Sequence, residues 1–282
     1  TIQLNSVIPG GPSEKVGLMA GDRIVMVNDS LFAGKGLTNE KAMRNLKGPK
    51  GSQVKLGVKR ATEKELLDFT ITRGDIPQNT IDAAYMLDDD YGYIQISKFG
   101  RTTHVELLNA IAQLSHEKCK GLIIDLRDNP GGWVNDAQSI ADIFLDKGTL
   151  CYLQYKNGER YYYRTKDGKV EMQLVILVNE NSASSSEILT GALRDRANAI
   201  VVGKKTYGKG IVQSVVPLSD GSGMQITVAQ YYTPNGYAVH KQGITPDVEV
   251  DGDNGMYELG DLTDAQLAKA LEVMQEKLAQ TK

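Results

Sequence analysis

Gly121-Leu122-Ile123-Ile124-Asp125-Leu126, followed by Arg127-Asp128-Asn129-Pro130-Gly131-Gly132, decides how this chain folds. The first six residues are the kind of apolar run that makes a strand buried on both faces. The next six break it in a Pro-Gly-Gly turn. Upstream, Tyr91–Ile96 reads as a strand, and Val105–Leu114 carries apolar residues at helical spacing. Strand, helix and strand at this spacing form a βαβ unit with a parallel pair. Downstream, Val134–Phe144 is the next helix and Leu174–Val178 another buried strand. Leu150–Tyr155 and Glu159–Arg164 flank Asn157-Gly158, a signal for a type I′ hairpin. A helix over Ser185–Leu193 and strands at Ala199–Val202, Gly210–Val216 and Met224–Tyr232 complete an α/β core over 75–252.

Two further zones flank that core. Residues 1–74 read as a small, mostly β module. It has strands at Ile2–Val7 and Asp22–Val27, a turn at Pro9-Gly10-Gly11-Pro12, and a short helix over Ser13–Leu18. A second helix runs to Leu46 with Thr38 as N-cap, and Val54–Val58 pairs with Leu67–Ile71 as a hairpin. Residues 253–282 form a tail whose Thr263–Leu278 stretch has helical periodicity, with Thr263 as cap. This helix is expected to pack on the core.

Composition narrows the chemistry. The 282 residues carry 32 Lys plus Arg against 35 Asp plus Glu, a formal charge of -3 with no basic block, so charge gives no reason to expect nucleic acid. The longest apolar runs are far too short to cross a bilayer. Two cysteines, Cys119 and Cys151, make no disulfide framework, and the three histidines have no metal-ligand spacing. A hydrolase here has little histidine to work with.

Three segments hold the candidate chemistry. Asn179-Glu180-Asn181-Ser182-Ala183-Ser184-Ser185-Ser186-Glu187 lies between a buried strand and a helix. The plain structural reading is a capping box of Ser184 with Glu187. The same geometry also exposes a serine beside helix N–H groups that can stabilise an oxyanion. Lys209, in Thr206-Tyr207-Gly208-Lys209-Gly210, is the available base. Burial would favour its neutral amine, whereas the base-rate reading is a surface lysine in a loop. If the following strand extends back to Lys209, the even spacing puts Gln213 on the same face. The third segment is the Asn129–Gly132 turn at a strand end, where open α/β sheets carry sites and where glycine N–H groups are accessible.

Taken in order, Asn-x-x-Ser-Ala-Ser-x-Ser-Glu, Tyr-Gly-Lys-Gly-x-x-Gln and Leu-Arg-x-Asn-x-Gly-Gly resemble the carboxyl-terminal processing (tail-specific) protease family over nearly the whole chain. The resemblance implies a mixed α/β (α+β) crotonase/ClpP-like protease core and a Ser–Lys serine endopeptidase. It makes Ser184 the nucleophile, Lys209 the general base and Gln213 its orienting partner. It also makes the backbone N–H groups of Gly131 and Ser185 the oxyanion hole, with Gly132 as the alternative to Gly131. Glu187 and Asp195 fall where the family pattern has acids and are read as support, one capping the helix and one pairing with a base. No metal or organic cofactor is implied.

The first zone is similar to the PDZ domain of these proteases at Ser6–Pro12, Val16-Gly17-Leu18, Gly21–Ile24 and Thr38–Arg60. Such modules bind a free C-terminus as an added β-strand. The family's carboxylate-binding loop and first groove strand would precede Ile2, so the expectation is that either they were trimmed, cleaved or disordered or the groove is incomplete. The implied partners are polypeptides with accessible C-termini, with a membrane tether through a missing N-terminus and a homo-oligomer as further possibilities. The implied location is extracytoplasmic, in the bacterial periplasm or cell envelope. Three rivals compete: a non-catalytic PDZ-type peptide-binding protein with a protease-like core, a Ser–Lys hydrolase of small amides or esters, and an acyl-CoA enzyme sharing only the fold. The Ser184, Lys209 and Gln213 set together argues against the first and third, and the PDZ-like module against the second.

Overall fold

The computed structural model describes all residues except 6, 9, 35, 77, 78, 167, 169, 253–260 and 280–282. Pro9 of the expected first turn and the start of the expected tail lie outside the described residues. Two compact units divide the chain, Thr1–Gln78 and Asn79–Lys282, four residues beyond the break expected from sequence.

In the smaller unit, the strands β1 (Ile2–Gln3), β2 (Arg23–Val27), β4 (Gln53–Lys59) and β5 (Leu67–Thr72) form an antiparallel path, with β3 (Ser30–Leu31) attached to β2. The first strand is shorter than the expected Ile2–Val7. Helix α1 occupies only Pro12–Lys15. Helix α2 covers Asn39–Leu46, and the Thr38 hydroxyl accepts the Lys41 N–H at 3.2 Å, as its N-cap position predicts. The core is mainly aliphatic, Leu18, Ile24, Val27, Val54, Leu56, Val58 and Ile71 together with Phe32. Asp22 is buried beside them, bridged at 2.8 Å by both Nε and Nη2 of Arg60.

The larger unit is built on a six-stranded sheet. Its strands are β6 (Ile81–Met86), β7 (Tyr91–Ile96), β8 (Gly121–Asp125), β11 (Gln173–Val178), β12 (Ile200–Gly203) and β15 (Val248–Glu249). All run parallel except the edge strand β6, which pairs antiparallel with β7. Strand β8 is buried along its whole length, and its alternate residues serve two cores. Leu122 and Ile124 face a large cluster under helices α3 (Thr103–His116), α4 (Val134–Phe144) and α5 (Ser185–Ala197). Ile123 faces a second cluster with Tyr93, Val175, Leu177 and Val202. Each such buried aliphatic contributes roughly 1.5–3 kcal/mol.

Helix α6 (Ala265–Ala279) covers the second face with Leu267, Ala270, Val273 and Met274. Its start differs from the expected one. Asp264, not Thr263, takes the first free N–H groups, accepting from Gln266 at 2.9 Å and Leu267 at 3.3 Å.

A second, antiparallel sheet has the order β10-β9-β14-β13, from β9 (Gly148–Tyr155), β10 (Arg160–Thr165), β13 (Ile211–Pro217) and β14 (Gly223–Tyr232). The sequence reading folds these strands into a single α/β core; among the described residues they pair only with one another. Their inner face joins the first cluster through Cys151, Leu153, Ala229 and Tyr231. Both cysteines are free, and burial pushes the Cys151 thiol up to about 12. No helix among the described residues is long and apolar enough to cross a membrane.

Candidate active site

Strand β11 ends at Val178 and helix α5 begins at Ser185. The six residues between are held by short local bonds. The Ser182 hydroxyl donates to the Leu126 carbonyl at 2.8 Å and accepts the Asn179 N–H at 2.9 Å. Asn179 and Asn181 both donate side-chain amide protons to Asp128, at 2.9 and 2.7 Å. The turn thereby leaves Ser184 at φ 58° and ψ −116°, outside the conformations a non-glycine residue prefers. Such strain is kept only where surrounding bonds over-determine it, and it is a mark of functional positions.

The glycine turn after β8 lies directly against this serine. A Cβ on Gly131 would sit 2.6 Å from the Ala183 oxygen and 2.9 Å from both Ser184 Cβ and the Ser185 nitrogen. Gly131 also has φ +96°, so glycine is required there for both space and backbone. Asn129 knits the two segments. Its carbonyl accepts the Ala183 N–H at 3.0 Å and the Ser186 hydroxyl at 2.9 Å, and its side-chain amide donates to Ile96 at 2.7 Å. Its Oδ1 accepts the Gly131 N–H at 2.8 Å. That bond bears on the expected oxyanion hole, because the Gly131 proton is already committed. The N–H groups of Ser185 and the exposed Gly132 have no partner among the described residues.

Glu187, one turn into α5 and 0% exposed, is the centre of the arrangement. Its Oε2 accepts the N–H of Ser184 at 2.8 Å, the carboxylate half of the expected capping box. The same oxygen accepts the N–H of Lys209 at 2.9 Å. Its Oε1 accepts the Thr206 hydroxyl at 2.6 Å and the Gly208 N–H at 2.7 Å. Tyr231 on β14 closes the ring, its hydroxyl donating to Ser184 O at 3.1 Å and reaching Oε2 at 3.4 Å. Burial and the Glu187 carboxylate push the Tyr231 phenol well above its usual range, so it stays a neutral donor.

Of the two readings of Lys209, the structure fits the surface one. Gly208 and Gly210 are buried, but the Lys209 side chain between them is exposed. The glycines take the close packing: a Cβ on Gly210 would lie 2.3 Å from the His240 nitrogen, and one on Gly208 3.0 Å from the Gly243 nitrogen. The condition for Gln213 to share a strand face with Lys209 is not met. Strand β13 starts only at Ile211, and a register shift between Val212 and Gln213 breaks the alternation on which the shared face rests. Gln213 is exposed and accepts a bond from Gln225 Nε2 at 3.0 Å. Asp195 serves elsewhere too, holding Thr233 Oγ1 at 2.6 Å and Asn235 N at 2.9 Å; its nearest cation, Arg194, is 3.9 Å away.

Sequence reasoning gave no role to Asn129, Thr206 or Tyr231. Asn129 and Thr206 sit inside the quoted motifs, two and three residues from a named site residue. Tyr231 carries no local signal, because only the pairing of β14 with β9 brings it over α5.

Comparisons with known proteins show the family. Residues 90–250 match the model of peptidase family S41, and residues 3–60 match a PDZ domain. Over 252 residues the chain is 38% identical to the carboxy-terminal processing protease CtpA of Bacillus subtilis (strain 168), covering 89% of this chain and 53% of that protein. Over 256 residues it is 36% identical to the carboxyl-terminal-processing protease of Synechocystis sp. (strain ATCC 27184 / PCC 6803 / Kazusa), covering 89% and 59%. The chain spans a little over half the length of these curated relatives. The solved photosystem II D1 C-terminal processing protease superposes with a TM-score of 0.59 at 32% identity, covering 92% of this chain and 69% of that one. The tricorn protease, at 20% identity, shares the fold with a TM-score of 0.54, covering 99% of this chain and 28% of that one. On these matches the chain belongs to peptidase family S41, with a PDZ domain ahead of its protease core.

Proposed function

We propose that this chain is a serine endopeptidase acting by a Ser184–Lys209 acyl-enzyme mechanism on polypeptides recognised through their C-termini. The observation that carries the reading is the shared Glu187 oxygen. The backbone nitrogens of Ser184 and Lys209 lie 2.8 and 2.9 Å from it, so they are within about 6 Å of each other.

In the reaction, Ser184 Oγ attacks the peptide carbonyl carbon while the neutral Lys209 amine takes its proton. The oxyanion is met by the Ser185 N–H and a glycine N–H from the facing turn. Gly132 has that proton available, and Gly131 supplies it only when Asn129 Oδ1 lets go. One such donor contributes roughly 3 kcal/mol to the barrier. The Lys209 ammonium then protonates the leaving amine, the C–N bond breaks, and water hydrolyses the ester. Lys209 is exposed, so the bound polypeptide must shield its amine from water. Gln213 orients that amine once substrate is bound.

The test is incubation with an unstructured polypeptide. Wild type cleaves it, whereas Ser184→Ala and Lys209→Ala each lose at least about a thousandfold in kcat/KM. Equal cleavage by all three rejects the pair. Amidating the substrate C-terminus lowers the rate if tail recognition operates; an unchanged rate removes that part of the proposal.

A further inference from the structure

Two aromatic side chains flank the nucleophile and have no part in its hydrogen-bond network. Among the described residues of the larger unit, Trp133 (75%) and Tyr207 (68%) are the most exposed large apolar side chains. Trp133 directly follows Gly131-Gly132. The Gly132 carbonyl accepts the Ser185 hydroxyl at 2.8 Å, which fixes that turn on the start of α5. With consecutive Cα atoms about 3.8 Å apart, Trp133 is anchored within about 8 Å of the residue that touches Ser184. Tyr207 belongs to the base loop. Its N–H donates to Ser182 O at 3.0 Å, and the next two residues bind Glu187. Thus one exposed aromatic leaves the oxyanion turn and the other enters the base loop. Large apolar area left in water costs roughly 25 cal/mol per Å², and an aromatic face beside a site recovers it when a ligand side chain covers it.

We propose that Trp133 and Tyr207 are the specificity residues of this site, seating apolar side chains on either side of the scissile bond. The inference rests on the Ser184–Lys209 reading. Lys209 gives its proton to the leaving amine, so its loop borders the leaving half and Tyr207 meets the residue after the scissile bond. The oxyanion turn borders the acyl half, so Trp133 meets the residue before it. The site thereby prefers peptide bonds between large apolar residues and discriminates against acidic ones.

The experiment has two arms. Trp133 is the only tryptophan in the chain, so its emission reports on this site alone. In Ser184→Ala, titration with a Gly/Ser-rich peptide carrying a Leu-Leu pair shifts the emission to the blue and saturates. The same peptide with Asp-Asp leaves it unchanged. In the active chain, Trp133→Ala lowers kcat/KM about tenfold on a peptide cleaved after Leu and less than about threefold on one cleaved after Gly, mainly through KM. Trp133→Phe restores most of it, and Tyr207→Ala does the same for the residue after the bond. Emission that ignores the Leu-Leu peptide, or losses within threefold of each other on the two peptides, overturns the assignment. Absence of cleavage by the wild-type chain counts against the dyad instead and leaves the emission arm to decide this proposal.

Discussion

The two halves of the site are built in opposite ways. On the serine side, Ser182, Ser185, Ser186, Glu187 and Asn129 are all buried, and every one of their side chains is bonded to backbone. On the base side, the Thr206 hydroxyl and the backbone of the loop are held, whereas the side chains of Lys209 and Gln213 are exposed. Beyond Gln213 the hairpin of β13 and β14 stays exposed through most of its length, with Val215 67% accessible. The nucleophile's place is therefore fixed by folding. The place of the base amine is fixed only as far as its backbone, which leaves its final position to the bound substrate.

Substitutions that strand buried charge should separate the two halves most sharply. Arg127 is 1% exposed and bridges Asp125 and Asp264, tying the end of β8 to the start of α6. Arg127→Met leaves two buried carboxylates without that cation and should lower stability by about 3–5 kcal/mol, read from the urea midpoint. Next comes Glu187→Ala, which leaves the N–H groups of Ser184, Gly208 and Lys209 and the Thr206 hydroxyl without their acceptor. It should cost about 3 kcal/mol and at least a hundredfold in kcat/KM, whereas an exposed carboxylate would cost almost nothing.

The smaller unit offers the same construction on a lesser scale. The paired bonds from Arg60 hold the Asp22 carboxyl below its usual range. Its contribution is complete above the unfolded value of about 3.9 and fades as pH falls through the lower folded value. Asp22→Asn should cost about 1–2 kcal/mol at pH 7 and progressively less in acid, by thermal melts of the smaller unit's transition. Gln213→Ala gives the smallest structural effect, within about 0.5 kcal/mol, because the residue is exposed. If Gln213 orients Lys209 on substrate, kcat falls about tenfold with no change in melting, and a melt change without a kcat change assigns it to the hairpin alone.

How far the sequence was legible follows the same division. The inner parallel strands β8 and β11 announce themselves because burial on both faces demands continuous apolar runs, whereas the two-residue edge strand β15 does not, and α4 and the start of α5 fall at the expected residues. Strand β6 escaped because Ile81–Met86 is only partly buried, at a sheet edge, and its pattern is neither alternating nor continuous. Ser184 and Glu187 were legible because helix-start chemistry is local. Lys209 fits the surface-loop reading, since the closely packed Gly208 and Gly210 leave the side chain between them exposed. Gln213 was misplaced because a bulge, invisible in residue types, resets the face of every residue after it. Tyr231 depends on strand pairing distant in sequence, which no local pattern encodes.

The dyad is tested most directly by labelling, without any peptide substrate. The chain is treated with a serine-directed fluorophosphonate between pH 6 and 9, and the adduct is located by mass spectrometry. One adduct should form, on Ser184, and Lys209→Ala should abolish its formation across that range. Equal labelling of the two variants across that range, or an adduct on another serine, would contradict the pairing of nucleophile and base through Glu187.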